Sequence, residues 1–183
     1  MGYLGNQITT VFPTSISVDT ATIATANISN QLTDANMASG SVLQVVQQVY
    51  STTVNISSTS YTATGLTKAI TPTSTSSKIL VMVNASADAF QYGDASNSIY
   101  FEIKRGSTQI AEKTVNAYAD QSPNGYYAIP VDGTMIFLDS PNTTSATTYT
   151  VNGKTANTNN SMTLRISVSS ADSMLTLMEI AGW

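Results

Sequence analysis

Ile99-Tyr100-Phe101-Glu102-Ile103-Lys104 is the stretch that decides the fold class. Ile99, Phe101 and Ile103 fall on one side of a period-two repeat, and Tyr100, Glu102 and Lys104 fall on the other. That alternation is a half-buried β-strand. Arg105-Gly106-Ser107 then turns the chain toward Gln109-Ile110-Ala111. The same period returns at Met162, Leu164, Ile166 and Val168, with Thr163, Arg165 and Ser167 between them. Residues 78–85, 135–138 and 174–180 are nearly continuous apolar runs, which read as buried strands. Residues 42–50 fit a strand or a short helix, and their β-branched bias favours the strand. Residues 53–56, 60–66 and 126–131 are shorter strand candidates, the last confined by Pro130 to an edge or a bulge. Residues 71–77, around Pro72, read as a loop, and so does Ala89-Phe90-Gln91-Tyr92-Gly93. Asn152-Gly153 between two short runs reads as a tight hairpin turn. Short strands at this spacing predict an all-β sandwich or barrel.

Composition agrees and narrows the chemistry. Among 183 residues, Ser and Thr supply 52 and Asn and Gln supply 22, while only 10% are charged. An average soluble domain carries about 25% charged residues. Cysteine and histidine are both absent, which excludes disulfides, thiolate nucleophiles, Cys or His metal ligands and every His-dependent catalytic pair. Seven basic residues at a net charge of −4 argue against a nucleic-acid footprint. The longest apolar run, Ile79-Leu80-Val81-Met82-Val83, is too short to span a membrane. Met1-Gly2-Tyr3-Leu4-Gly5-Asn6 lacks the basic and apolar regions of a secretory signal, so synthesis in a cytoplasm without secretion is expected.

The composition shifts near Ser39-Gly40, dividing the chain into residues 1–39 and 40–183. Before that point only Asp19 and Asp34 are charged, and the first basic residue is Lys68. Large apolar side chains are sparse and regularly spread there: Leu4, Ile8, Val11, Phe12, Ile16, Val18, Ile23, Ile28 and Leu32. Burying so few of them returns less free energy than ordering the backbone costs. Residues 1–39 therefore read as an extended attachment arm whose apolar side chains need a partner surface, either a second copy or another protein. Folding back on the chain's own domain is the other reading.

Glycoside hydrolysis needs two acids about 5–9.5 Å apart in a cleft. The glutamates are Glu102, Glu112 and Glu179. Glu102 beside Lys104 and Glu112 beside Lys113 read as solvated faces. Glu179 lies on the last apolar run, where pairing with Arg165 or capping an interface are the options. Asp88, Asp94 and Asn97 lack the spacing of an EF-hand calcium loop, so no metal site is expected. In the last run Leu175 and Leu177 project to one face and Met174, Met178 and Ile180 to the other, which suits a central strand or a subunit interface. Tyr92, Tyr118, Tyr126 and Tyr127 lie in loop-rich sequence and are candidates for a receptor surface.

Three stretches carry a family resemblance. They are Gly40-Ser41-Val42-Leu43-Gln44-Val45-Val46, then Gly65-Leu66 with residues 70–81, and finally Leu175-Thr176-Leu177-Met178-Glu179-Ile180. From about residue 40 onward the chain resembles a C-terminal domain of tailed-bacteriophage fibre and head-decoration proteins. The resemblance implies a trimeric jelly roll, similar to the heads of C1q and tumour-necrosis-factor proteins, with residues 1–39 as its attachment segment. It implies no catalytic residues and no cofactor. On this reading Tyr100, Leu175, Leu177 and Glu179 are the trimer-interface candidates. The expected role is a homotrimeric capsid-decoration, cement or head-fibre protein on the virion exterior, holding the major capsid protein or another virion protein through its arm. The alternative is a tail-fibre tip that recognises a host-surface glycan or protein. The chain lacks the long repeat array of an extended fibre, which favours a squat trimer seated on a large surface.

Overall fold

A computed structural model describes residues 37–93, 95–119, 125–168 and 171–182. The expected attachment residues Leu4 to Leu32 lie outside the described residues. Twelve strands follow in chain order: β1 (Val42–Tyr50), β2 (Val54–Ile56), β3 (Thr62–Ile70), β4 (Lys78–Asn84), β5 (Ser86–Tyr92), β6 (Ala95–Arg105), β7 (Thr108–Ala119), β8 (Tyr126–Asp132), β9 (Met135–Asp139), β10 (Thr147–Thr155), β11 (Thr163–Ile166) and β12 (Ser173–Ile180). They form three antiparallel four-stranded sheets, ordered β1-β12-β4-β9, β2-β11-β5-β8 and β3-β10-β6-β7.

The first two sheets are successive halves of one long, bent layer. Only Ala85 separates β4 from β5, and only Gly133 and Thr134 separate β8 from β9. β1 and β2 likewise follow each other, as do β11 and β12, in corresponding positions of the two halves. Merging each pair leaves eight strands. Lettered A to H in chain order, they run A-H-C-F in the long layer and B-G-D-E in β3-β10-β6-β7. That is the double Greek-key order of a jelly roll. The chain is therefore an all-β jelly-roll sandwich.

Its core is filled from both layers. Ile79, Val81, Val83, Leu175 and Leu177 enter from the long layer, and Leu66, Phe101, Ile103, Tyr149 and Val151 from the other; all are buried. β6 carries the alternation of its sequence directly, with Ile99, Phe101 and Ile103 wholly buried. β8 is an edge strand, as Pro130 demands.

Asn152-Gly153 is not a turn. β10 runs straight through it, with Asn152 opposite Glu102 and Gly153 opposite Phe101. Glycine is needed there for close packing: a Cβ on Gly153 would lie 2.5 Å from Leu164 Cδ2 of the opposing layer. Gly153→Ala is expected to lose about 1–3 kcal/mol through overpacking, read as a lower urea midpoint at unchanged slope. A midpoint equal to wild type would show that Leu164 moves aside freely.

Residues 89–93 also differ from the sequence reading. They lie mostly in β5, with Ala89 and Gln91 buried and Phe90 and Tyr92 on the outer side. The run 135–138 is buried on one side only: Ile136 is 68% exposed and Leu138 43%.

Polar residues join the strands where the layers meet. Arg105 Nη1 donates to both oxygens of Asp139, at 2.8 and 2.9 Å, and the Tyr149 hydroxyl donates to Asp139 Oδ2 at 2.7 Å. This ties β6 and β10 to the end of β9. Ahead of β1, Gly40 N–H donates to Ala181 C=O and Ala181 N–H donates to Ser41 C=O. Residues 40–41, just before β1, therefore lie beside Ala181, just after β12.

Candidate functional site

The outer side of β1-β12-β4-β9 is the most unusual surface among the described residues. The register lays its outward side chains in rows across four strands. One row reads Val45, Met178, Leu80, Leu138. The next reads Gln47, Thr176, Met82, Ile136, and a third begins Val49, Met174, Asn84. Each row follows from the period of two, because Leu175, Leu177, Ile79, Val81 and Val83 point inward. These rows contain no charged side chain, and Lys78 stands only at their end, opposite Ile180.

Val45 and Val49 are about half exposed, at 51% and 52%, and Ile136 more so. Gln47 and Thr176 hydrogen-bond each other at 2.8 Å, which satisfies the polar pair in the middle of the face. A shallow depression of about 190 Å³ lies between Gln47, Met82, Ile136 and Met174. Exposed apolar side chains gathered on one surface mark interaction sites, and Val45, Val49, Ile136 and Leu138 are gathered here. The face offers no acid, base or nucleophile and is suited to burial against another apolar surface.

The interface residues named from sequence occupy different places. Leu175, Leu177 and Glu179 are wholly buried inside the chain's own sandwich and have no surface left for a partner. Their strand β12 is central, between β1 and β4, and its other side, Met174, Thr176 and Met178, is the one presented outward. Tyr100 belongs to the opposite layer, where the Lys154 ammonium lies 4.8 Å from its ring and 4.4 Å from that of Tyr61. The four residues therefore do not share a face.

Among the described residues Glu179 has no cation partner. It accepts hydrogen bonds from Gln44 Nε2, and from the Thr73 N–H and hydroxyl at 2.7 Å each. Arg165 instead grips Asp88 with two bonds of 2.7 Å. Burial pushes the Glu179 carboxyl up, but the hydrogen bonds outweigh it and hold the group below the usual carboxylate range. Glu102 is not solvated either: it is 4% exposed, capped by the Asn152 amide at 2.8 Å. Glu112 is exposed and accepts from the Tyr61 hydroxyl at 2.7 Å.

Tyr92, Tyr118, Tyr126 and Tyr127 lie on strands β5, β7 and β8 and not in loops. Tyr92, Tyr118 and Tyr126 are nonetheless exposed. Tyr126 stacks on Phe90, with centroids 5.1 Å apart and planes at 6°, and meets Tyr92 nearly edge-on at 5.0 Å. Phe90 was not singled out from sequence, because a loop reading hid its position beside the tyrosines. Asn97 bonds Asn157, and Asp94 lies outside the described residues. Among the described residues no group of three or more acidic side chains gathers to hold a metal, and no helix is long and apolar enough to cross a membrane.

No protein-family model matches the chain, and no curated protein matches it. Among solved structures it is similar to a chain in the structure of infectious bursal disease virus, Gt strain. That match has a TM-score of 0.29 and 12% identity, covering 93% of this chain and 43% of the other. It is also similar to a chain of a subviral particle of infectious bursal disease virus, with a TM-score of 0.25 and 11% identity, covering 76% and 38%. The chain spans less than half the length of either. At these scores the likeness carries no functional assignment.

Proposed function

We propose that this chain is a structural protein of a phage virion, a homotrimer that decorates the capsid exterior and is held there by residues 1–39. The observation that carries the reading is the uncharged apolar outer face of β1-β12-β4-β9. A sandwich that leaves such a face open gains by associating with copies of itself. The jelly-roll order and the sequence resemblance to phage fibre and decoration domains support a threefold arrangement. Closed symmetry would present three low-charge arms together, so that modest contacts multiply into avidity insensitive to salt.

Sedimentation of the full chain tests the association. The wild type is expected as a trimer. Ile136→Lys places a charge on an exposed position of the face and should weaken self-association about tenfold or more, a loss of about 1.4 kcal/mol. A wild-type monomer at micromolar concentration overturns the reading. Quantitative mass spectrometry of purified virions then separates its two locations. A copy number comparable to the major capsid protein fits decoration, and a copy number like that of tail components fits a fibre tip. The second reading, receptor recognition by a fibre tip, is favoured by the exposed Tyr92–Tyr126 pair.

A further inference from the structure

The outer side of the other half-layer, β2-β11-β5-β8, has a different chemistry. A depression of about 390 Å³ opens there, lined by Thr53, Asn55, Ser57, Phe90, Thr163 and Arg165. Its volume lies within the roughly 300–1,000 Å³ of small-molecule sites. The register sets Asn55, Arg165 and Asp88 side by side across three strands.

Arg165 is held rigidly. Its Nε and Nη2 donate to the two oxygens of Asp88, and its guanidinium carbon stands 4.2 Å from the Phe90 ring centroid. This fork leaves both N–H groups of Nη1 without an acceptor among the described residues. The Asn55 side-chain amide, exposed at the rim, also has no partner there. Ser57 and Thr163 share one hydrogen bond of 2.7 Å and keep further donor and acceptor capacity. Phe90 is the aromatic side chain of the lining; Arg165 lies over its ring and Tyr126 stacks on it, so the aromatic wall that Tyr126 and Tyr92 continue runs on from the depression toward β8.

We propose that this depression is a binding site for a neutral pyranose of a glycan. Asp88 cancels the charge of Arg165, so the site holds no net positive charge with which to prefer an anion. What it offers is a fixed guanidinium donor, an amide that both donates and accepts, and two hydroxyls. These match the hydroxyl groups of a sugar ring, and Phe90 is the apolar contact beside them. The site stands whether the protein sits on the head or the tail, and it lies on a separate part of the sheet from the apolar face.

Saturation-transfer NMR on the full chain tests it, with the methyl glycosides of glucose, galactose, mannose and N-acetylglucosamine as probes. At least one is expected to receive saturation. Asn55→Ala, at an exposed position that leaves the core intact, should weaken its binding about fivefold or more through loss of the amide contacts. Tyr126→Ala should weaken it as well without changing the sedimentation of the oligomer. No transfer to any of the four probes overturns the proposal, as does transfer undiminished in Asn55→Ala. Displacement of the bound glycoside by millimolar phosphate would make this an anion site and also overturn it. Dissociation of the oligomer by Tyr126→Ala would make the surface a subunit contact, with the same consequence.

Discussion

Asp139→Ala is expected to cost about 3 kcal/mol of folding stability, a large share of what a domain of this size holds. Asp139 is only 6% exposed and serves two partners from the opposite layer. One is the Tyr149 hydroxyl, on a side chain with no exposure at all. The other is Arg105, 30% exposed, whose Nη1 also donates to Ser140 C=O. Truncation leaves a buried hydroxyl without an acceptor and a half-desolvated guanidinium without its counter-charge. Burial, followed by the bond to Asp139, pushes the Tyr149 phenol above its ordinary range, because ionising it would set two anions side by side. Asp139→Asn keeps one oxygen as an acceptor but removes the charge and turns the other acceptor into an N–H₂ donor, so about 1–2 kcal/mol is expected. Tyr149→Phe removes one donor and leaves the ion pair whole, for about 1 kcal/mol. Urea unfolding at fixed protein concentration measures all three, since association contributes to apparent stability. Asp139→Ala within 0.5 kcal/mol of wild type would mean that this clamp adds nothing to what holds the two layers together.

The residues that make this clamp show which parts of the fold could be read from sequence. Period-two runs were legible because inward and outward positions differ in kind, as in Ile99 to Lys104. Pro130 was legible as an edge residue because it lacks a donor. The parity of β12 was legible too, with Leu175 and Leu177 on one side and Met174 and Met178 on the other. Which side faces the core was not. Both sides are apolar, and the choice is made by the opposite layer, whose Phe101, Tyr149 and Val151 complete the core. The candidates on β12, Leu175, Leu177 and Glu179, therefore lie on the inward side of a correctly drawn strand.

The Asn152-Gly153 reading failed for a similar reason. A glycine required by a turn and a glycine required by a close approach look the same in sequence. Only Leu164, eleven positions later, distinguishes them. The aromatic wall was half legible. The tyrosines were noticed, but Arg165, Asp88 and Asn55 come from three separate strands, and their adjacency is a property of register.

Glu179 makes the second large prediction, and it concerns pH. A buried carboxylate with no cation nearby among the described residues is unusual, and here neutral donors hold it. Gln44 comes from β1 and Thr73 from the loop between β3 and β4, so one carboxylate pins the loop and an edge strand to the central strand. Glu179→Gln puts an amide N–H₂ among groups that themselves donate and should cost about 2 kcal/mol at pH 7. The carboxyl titrates lower folded than unfolded. Its contribution is therefore fully present above the unfolded value, about 4.3, and is lost as pH falls through the folded one. Wild type and Glu179→Gln should converge in stability as the solution is acidified below about pH 4. Asp132, lowered to about 2 by Lys113 and Thr134, titrates in the same acid range, but it is common to both proteins and drops out of the difference. Amide exchange gives a local check. The Thr73 N–H should exchange faster in Glu179→Gln at neutral pH, while amides of β6 and β10 stay unchanged. A stability gap that stays constant down to pH 2 would mean that the carboxylate's charge contributes nothing and that the variant perturbs packing alone.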